Sequence, residues 1–292
     1  EKLDNIITLE EYDLETANAI KSANAPTHFR VLTLPDVKPK TKPKALNVAI
    51  KEAKGEFLVI YDAEIVPEVD QLKKAYLAFR KYTDVGTLQT RLDHYNLNQN
   101  LLTKLFNAEF AFYYDLFLPG LNKFNFPVPL SGHSVHFRTA ALLKSGAWDP
   151  YNVTEDCDIG IRMHRLGFKT SMMNSLSWEE ATSNLDSWLK QRTRWMKGFM
   201  QTSIVHLRHP SRLKGELGGW MNMFAFFMTI PGTILLNLLN LFSFALLFIW
   251  LVFQPQFIQT IFPAPVLYIS LISFITGSFI FTYMNLLGIY RR

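Results

Sequence analysis

A long segment without a single charged residue or histidine constrains this chain more than any other feature. From Leu217 through Tyr290 the sequence contains no Asp, Glu, Lys, Arg or His. Within it, residues 233–253 and 265–287 are apolar runs, each long enough to cross a hydrocarbon core of about 30 Å as a helix. A buried helical hairpin in a soluble protein is the alternative. The pattern predicts two membrane-spanning helices at 233–253 and 265–287.

Basic residues gather immediately before the uncharged segment. They are Lys190, Arg192, Arg194, Lys197, Arg208, Arg212 and Lys214, with Glu216 as the only acid among them. Because positive charge favours the cytoplasmic side, we expect a multi-pass protein of the inner or plasma membrane whose polar domain is cytoplasmic and whose partner is the lipid bilayer. This local belt supplies much of the net charge of +5, so that charge does not indicate nucleic-acid binding.

The remaining composition excludes other classes. An apolar share of 49% is enough for a sizeable core, and it excludes a disordered chain. The single cysteine, Cys157, cannot form an internal disulfide, which excludes a disulfide-rich secreted scaffold and a multi-cysteine zinc module.

The polar part alternates between strand and helix patterns. Short β-rich runs cover 29–34, 57–61 and 85–92, and a helical pattern covers 70–81. This order predicts an α/β sheet with parallel strands. Residues 5–9 also form a strand pattern, and we expect that a strand and helix preceding it in such a domain are missing from this sequence.

Two carboxylates follow the apolar run 57–61. Asp62 and Glu64 stand two residues apart at the carboxyl end of that strand, where α/β folds bind ligands. Such a pair can supply oxygen ligands to Mg²⁺ or Mn²⁺ and so neutralise a diphosphate leaving group. A solvated acidic turn is the alternative interpretation.

A second acidic cluster, Thr154-Glu155-Asp156, precedes a helical pattern. Asp156 is a candidate general base that removes a proton from a hydroxyl nucleophile. The alternative is structural, because Asn152 and Glu155 have the spacing of a capping box and acids suit a helix start. Asp158 and Arg162, four residues apart, predict a surface ion pair.

The third cluster lies in a helical pattern from about 185 to 206. Gln191, Arg194 and Trp195 are three and four residues apart and therefore share one face. That face offers an amide, a guanidinium for phosphate oxygens and an indole for a sugar ring. A basic amphipathic helix at a membrane surface is the alternative, and the shorter apolar run 221–230 suits an interfacial or re-entrant segment.

These clusters, in this order and ahead of apolar helices, resemble the membrane-embedded processive glycosyltransferases of family 2, which include cellulose, β-glucan, chitin and hyaluronan synthases. The resemblance runs from about residue 5 to the end. It implies an α/β fold with a GT-A type nucleotide-sugar-binding domain at 1–184, amphipathic interface helices at 185–232, and transmembrane helices at 233–292. It also implies a UDP-sugar donor and a growing polysaccharide acceptor.

The resemblance also assigns roles to residues. Asp156 is the expected catalytic base, with Thr154 and Glu155 in the same motif. Asp62 and Glu64 are the expected ligands of Mg²⁺ or Mn²⁺. The expected donor-binding residues are Glu10, Glu11, Lys44, Asp62, Gln191 and Arg194. The expected acceptor-binding residues are Trp195, Ser131, Gly132 and Ser134. His133 is expected to be a hydrogen-bonded loop histidine, and Asp93 with His94 lacks a further ligand at metal-binding spacing.

The central region, including residues 118–121 and 146–150, is most similar to bacterial exopolysaccharide and β-glucan synthases. We therefore expect processive, inverting transfer of glucose from UDP-glucose to a β-glucan that crosses the membrane. Two spans are too few to enclose a channel, so missing N-terminal helices or accessory subunits are expected to complete it. The alternatives are transfer of one sugar to a polyprenyl or other lipid acceptor, and a non-catalytic membrane subunit.

Overall fold

Two β-sheets organise the polar part of the chain in a computed structural model that describes residues 3–24, 26–253 and 264–292. Strands β1 (Asn5–Glu10) and β2 (Phe29–Leu34) pair in parallel as a small sheet. The larger sheet has the order β3-β6-β5-β7-β4. Its strands are β3 (Phe57–Ile60), β4 (Val66–Pro67), β5 (Val85–His94), β6 (Val135–Arg138) and β7 (Lys169–Glu179).

Helices separate and follow these strands. Those of the polar part are α1 (Leu14–Ser22), α2 (Lys42–Glu52), α3 (Gln71–Lys81), α4 (Leu101–Phe112), a π-helix (Tyr113–Phe117), α5 (Leu118–Lys123), α6 (Thr139–Lys144) and α7 (Glu155–Arg165). The later helices are α8 (Leu185–Leu207), α9 (Pro210–Leu217), α10 (Trp220–Thr229), α11 (Pro231–Phe253) and α12 (Ala264–Tyr290). The helices predicted at 70–81 and 185–206 are confirmed as α3 and α8.

The prediction of parallel strands is confirmed for the β1–β2 and β5–β7 pairs and is wrong for the other pairs of the larger sheet. Only β5 and β7 pair in parallel there, whereas β6 runs antiparallel to both β3 and β5, and β4 runs antiparallel to β7. An antiparallel strand needs no crossover helix, so a short strand can enter the sheet directly from a loop. Strand β6 does this, because it follows the extended loop of residues 125–134.

Two helices near the C-terminal end are long and apolar enough, by length and composition alone, to cross a membrane. They cover Pro231–Trp250 and Tyr268–Tyr290, and 6% of each apolar window is buried. Helix α11 begins at Pro231, which is favourable because the first helical position needs no N–H group.

Helices α9 and α10 each bury an apolar face against α7. Their apolar residues Leu213, Leu217 and Phe226 are buried against Cys157 and Ile161 of α7. On the other side of the same segment, the side chains Trp220, Met221 and Phe224 are exposed. The buried face therefore fixes these two helices to α7, the helix that carries the Thr154-Glu155-Asp156 cluster.

Candidate active site

A lysine bridges the end of β3 and the loop before β6. The Nζ of Lys42 lies 2.5 Å from Oδ1 of Asp62 and donates to the carbonyl oxygen of Gly132 at 3.1 Å. Burial disfavours its charged form, but the carboxylates of Asp156 and Asp62 outweigh that effect and raise the pKa of Lys42. Lys42 is therefore a fixed positive charge between two acids.

Gly132 brings the loop against Asp156. A Cβ atom at Gly132 would lie 2.6 Å from Oδ2 of Asp156, and the residue has a φ of 82°. Only glycine adopts that conformation without strain, and only glycine leaves room for the carboxylate. The loop and the start of α7 are thereby in contact through this glycine.

The carboxylate of Asp156 is buried and held by one indole. Trp148 Nε1 donates to Asp156 Oδ1 at 3.3 Å. Burial raises the pKa of Asp156, while the charge of Lys42 and the hydrogen bond from Trp148 act in the opposite direction. Beside it, burial and then the charge of Asp156 raise the pKa of Glu155 to about 7. Raised pKa values suit carboxylates that must accept a proton near neutral pH.

The capping box considered for Asn152 and Glu155 is wrong. Asn152 Oδ1 instead accepts a hydrogen bond from the backbone N–H of Thr154 at 3.0 Å, and its Nδ2 donates to Thr202 Oγ1 at 3.0 Å. Thr154 is the N-cap residue, and its side chain makes no capping hydrogen bond. The segment before α7 is thus anchored to α8.

Helix α8 continues this anchoring with three further contacts. Gln201 Oε1 accepts from the backbone N–H of Val153 at 3.1 Å. A Cβ atom at Gly198 would lie 2.2 Å from Thr154 Oγ1, so the helix backbone lies directly on that side chain. Further along, the ring Nε2 of His206 lies 2.9 Å from Oδ1 of Asp158.

Asp158 is not a surface residue, which corrects the predicted surface pair. Its side chain is buried, and the Nε of the partly exposed Arg162 donates to its Oδ2 at 2.8 Å. Burial opposes its ionisation, but the hydrogen bond from His206 and the charge of Arg162 outweigh burial and lower the pKa of Asp158. On its other ring nitrogen, His206 accepts from Arg165, which also pairs with Glu216 of α9.

The anchoring residues share a face with the predicted Gln191, Arg194 and Trp195. On a helix, residues three or four positions apart lie on the same face. This spacing continues along α8 from the motif to the anchoring positions Gly198, Gln201, Thr202 and His206. Arg194 is exposed, and its positive charge partly opposes the rise in the pKa of Glu155 that burial and Asp156 cause. One face of one helix therefore brings the Gln-x-x-Arg-Trp motif toward the start of α7.

Comparison with known proteins decides the family. A family model described as "Glycosyl transferase family group 2" matches residues 57–286, which is most of the chain. The chain belongs to glycosyl transferase family group 2. The probable glycosyltransferase YdaM of Bacillus subtilis strain 168 is 26% identical over 211 residues, covering 71% of this chain and 50% of that protein. The chain thus spans about half the length of this curated relative.

A solved structure supports the fold of this family 2 chain. The mannosyltransferase PcManGT from Pyrobaculum calidifontis, in complex with GDP-Man and Mn²⁺, has a TM-score of 0.53 at 15% identity, covering 82% of this chain and 70% of that one. The likeness shows an α/β fold of the GT-A type. The family and the GT-A part of the sequence prediction are therefore confirmed.

The family 2 chain has a polar cleft beside β1 and β2. Its volume is about 250 Å³, and its lining includes Glu10, Tyr12, Lys40 and Lys42. Oε2 of Glu10 is buried and has no hydrogen-bond partner among the residues that the structure describes. Glu11, in contrast, is exposed. Of this predicted acidic pair, Glu10 is the one that faces the cleft.

Two other predicted residues, Lys44 and Ser134, are hydrogen-bonded within the protein. Lys44 Nζ donates to the carbonyl oxygens of Pro35 at 2.9 Å and Val37 at 2.5 Å, so Lys42 reaches the site in its place. Ser134 is fully buried, and its hydroxyl lies 2.7 Å from that of Ser177. Ser134 thus supports the loop from behind, which corrects its predicted contact with an acceptor.

The other loop and helix candidates have mixed surroundings. Ser131 Oγ and Gln191 Oε1 are buried and, within the described residues, have no hydrogen-bond partner. Trp195 packs on Phe110 with ring centroids 6.3 Å apart. The guanidinium of Arg192 covers its ring at 4.6 Å. The indole is thus held in a fixed orientation.

Only one ring nitrogen of His133 has a hydrogen-bond partner among the described residues, whereas a fully hydrogen-bonded histidine was predicted. Its Nδ1 lies 3.3 Å from the hydroxyl of Tyr114, while Nε2 is buried without a partner in the described part of the chain. Burial lowers the pKa of His133 to about 3, so the ring is neutral.

The side chains of Asp93 and His94, at the end of β5, bind other protein groups. Asp93 pairs with Arg292 at 2.9 Å, and the ring of His94 lies 2.9 Å from the amide oxygen of Asn107.

Lys42 and Gly198 were not predicted from the sequence, although each is locally unfavourable where it stands. Lys42 begins α2, where a positive charge is unfavourable because it opposes the helix dipole. Gly198 lies inside a long helix, where glycine is less stable than alanine by about 1 kcal/mol. Both features are unfavourable locally, and the structure explains each by a contact that forms only in three dimensions.

Replacing Asp156 by Asn is expected to lower the pKa of Glu155. After burial, the negative charge of Asp156 is the largest contribution that raises this pKa to about 7, and the neutral amide of asparagine removes that charge. Carbon-13 NMR of the Glu155 carboxyl group against pH measures the shift, with Glu180→Gln as an exposed control that should leave it unchanged. A pKa of Glu155 that stays in place or rises in Asp156→Asn contradicts the expectation.

Proposed function

We propose that this chain carries the catalytic domain of a processive, inverting β-glycosyltransferase that polymerises glucose from UDP-glucose into a β-glucan and passes it across a membrane. The observation that supports this best is the buried carboxylate of Asp156, which lies against Gly132, while Lys42 connects that loop to Asp62. The candidate base Asp156, the loop at Gly132 and the cationic Lys42 are therefore adjacent.

In the proposed reaction Asp156 takes the proton from the terminal hydroxyl of the acceptor. The resulting oxygen attacks the anomeric carbon of the donor sugar as the bond from that carbon to the diphosphate breaks, which inverts its configuration. The proton remains on the Asp156 carboxylate, and UDP leaves with the bonding electrons. Positioning and electrostatic stabilisation supply most of the rate enhancement in such a displacement.

Positive and polar side chains around the site fit a nucleotide diphosphate. Lys42 is held between two carboxylates, and Arg194 is exposed on the α8 face that leads toward Glu155. We propose that both bind the diphosphate and that Glu10 accepts a hydrogen bond from the base in the polar cleft. Gln191 is proposed to contact the donor, and Ser131, Gly132 and Trp195 the acceptor sugar.

We propose that Asp62 and Glu64 bind a divalent metal. Mg²⁺ is usually bound by one or two protein carboxylates together with substrate phosphates and water, and Asp62 already accepts the cationic Nζ of Lys42 at 2.5 Å. Mn²⁺ accompanies GDP-Man in the PcManGT structure. When bound, Mg²⁺ or Mn²⁺ supplies neutralisation of the charge that develops on the leaving diphosphate.

We further propose that α11 and α12 cross the membrane and that the catalytic domain is cytoplasmic. Their length and apolar composition support this, and so do the exposed basic residues that precede α11 and follow α12. The exposed Trp220 and Phe224 suit a position at the membrane interface. Further helices, from a longer chain or a partner subunit, are needed to enclose a channel for the glucan.

Labelled glucose from UDP-glucose is expected to enter a high-molecular-weight product in membrane vesicles that contain this protein. Incorporation should require Mg²⁺ or Mn²⁺ and should stop with EDTA, because the leaving diphosphate then lacks the charge neutralisation that the metal would supply. Linkage-specific glucanases identify the product. GDP-mannose and other UDP-sugars serve as parallel donors.

Other results of the same assay would each contradict one part of the proposal: the acceptor, the donor or catalysis itself. A labelled product that extracts into organic solvent indicates transfer of one sugar to a lipid acceptor. Turnover of another donor, with none of UDP-glucose, shows that UDP-glucose is not the donor but leaves the proposed mechanism intact. Binding of UDP without turnover of any donor indicates a non-catalytic subunit.

A further inference from the structure

An apolar pocket lies on the opposite side of the π-helix from the candidate active site. Its volume is about 270 Å³, and the following side chains line most of it: Phe112, Leu116, Phe117, Phe124, Phe126 and Met284. An apolar cavity of about 150 Å³ can already bind benzene, so this pocket has room for a larger hydrocarbon group.

The pocket is continuous with the surface of α12. Met284 belongs to α12 and forms one wall, and Phe112 of α4 contacts Phe281 of α12 with ring centroids 6.2 Å apart. Neighbouring side chains of α12, including Phe279, Ile280 and Tyr283, are exposed. If α12 spans the membrane, as proposed above, the pocket opens toward the hydrocarbon of the cytoplasmic leaflet.

The π-helix separates this pocket from the site. Phe112, Leu116 and Phe117 face the pocket. The hydroxyl of Tyr113 instead donates to the carbonyl oxygen of Pro129 at 3.4 Å, and that of Tyr114 lies 3.3 Å from Nδ1 of His133. Pro129 and His133 both belong to the loop that contains Gly132. A lipid in the pocket therefore has two tyrosines between its chain and the catalytic loop, which does not suit an acceptor that must reach Asp156.

We propose that this pocket binds an acyl chain of a membrane phospholipid, which holds the α4, π-helix and α5 segment against α12. A cation is available for the headgroup, because the exposed Arg291 follows Met284 by about 10 Å along the helix axis. Basic side chains at helix ends extend to the interface in this way. The proposal rests on the membrane-spanning role of α12.

Gly120 offers a way to close the pocket without disturbing the fold. It lines the pocket within α5, and a Cβ atom added there meets nothing within 4 Å. Gly120→Leu therefore places a side chain in the pocket, and it also replaces glycine by a better helix former. Gly215→Leu is the matched control, because Gly215 lies in α9 with equally open surroundings and does not line the pocket.

The test uses the full chain in vesicles of phosphatidylethanolamine and phosphatidylglycerol with a phospholipid that carries a photoreactive group on one acyl chain. Mass spectrometry after irradiation is expected to find label on Phe117, Phe124 or Met284 in wild type and in Gly215→Leu. In Gly120→Leu this label should fall by about tenfold, the effect of excluding two methylene groups from an apolar site.

Three outcomes overturn the proposal. Equal labelling of Gly120→Leu and wild type shows that the label does not report the pocket. Absence of label from these residues in wild type shows that no acyl chain enters it. Displacement of the label by a small mole fraction of polyprenyl phosphate assigns the pocket to an isoprenoid chain instead.

A separate measurement distinguishes failure of the membrane proposal from failure of the pocket proposal. Extraction of the wild-type protein from the vesicles by alkaline carbonate shows that α12 does not span the membrane. Retention in the membrane without labelling of the pocket overturns the acyl-chain proposal alone.

Discussion

Replacing Asp156 by Asn is expected to abolish sugar transfer while UDP still binds. The substitution preserves the shape of the side chain and its contact with Trp148, but the amide cannot accept the proton of the acceptor hydroxyl. Loss of a general base reduces the rate by about 10²- to 10⁴-fold. Incorporation of labelled glucose measures turnover, and titration calorimetry with UDP measures donor binding.

A matched control separates the chemistry from the fold. Asp149→Asn makes the same change in the preceding loop, where Asp149 Oδ1 accepts from the backbone N–H of Tyr151, and an amide oxygen can replace that acceptor. We expect this variant to retain activity. Turnover of Asp156→Asn near the wild-type level would show that another group takes the proton.

Replacing Gly198 by Ala is expected to reduce turnover by about 10²-fold. Alanine normally stabilises a helix relative to glycine, but here its Cβ would lie 2.2 Å from Thr154 Oγ1 and 2.6 Å from Thr154 Cβ. Helix α8 must therefore shift from the start of α7, and a displacement of about 1 Å between reacting groups can reduce a rate by 10²-fold. Steady-state kinetics and thermal unfolding measure the two consequences.

Two further variants test this explanation. Gly215→Ala makes the same change where a Cβ meets nothing within 4 Å, so we expect unchanged turnover and a slightly higher Tm. Thr154→Gly combined with Gly198→Ala removes the atoms that the new methyl group approaches, and part of the lost activity should return. Full activity of Gly198→Ala alone is the result that contradicts the contact.

Patterns along the chain were sufficient for the elements with strong periodicity. The apolar runs at 233–253 and 265–287 correspond to α11 and α12, and the spacing of Gln191, Arg194 and Trp195 correctly placed them on one helix. Hydrophobic length and a period of about 3.6 residues are local properties, so a sequence displays them directly. Strand β6 was missed because its four residues are too few to show a period.

The sequence by itself determined the order of the acidic cluster, the Gln-x-x-Arg-Trp motif and the apolar helices. Only the tertiary structure decided that Lys42 rather than Lys44 meets Asp62, and that Gly132 and Gly198 have no room for a side chain. The physical reason is that these contacts join residues about 20 to 90 positions apart in the chain. Their distances depend on how the sheet and α8 pack, which no local pattern encodes.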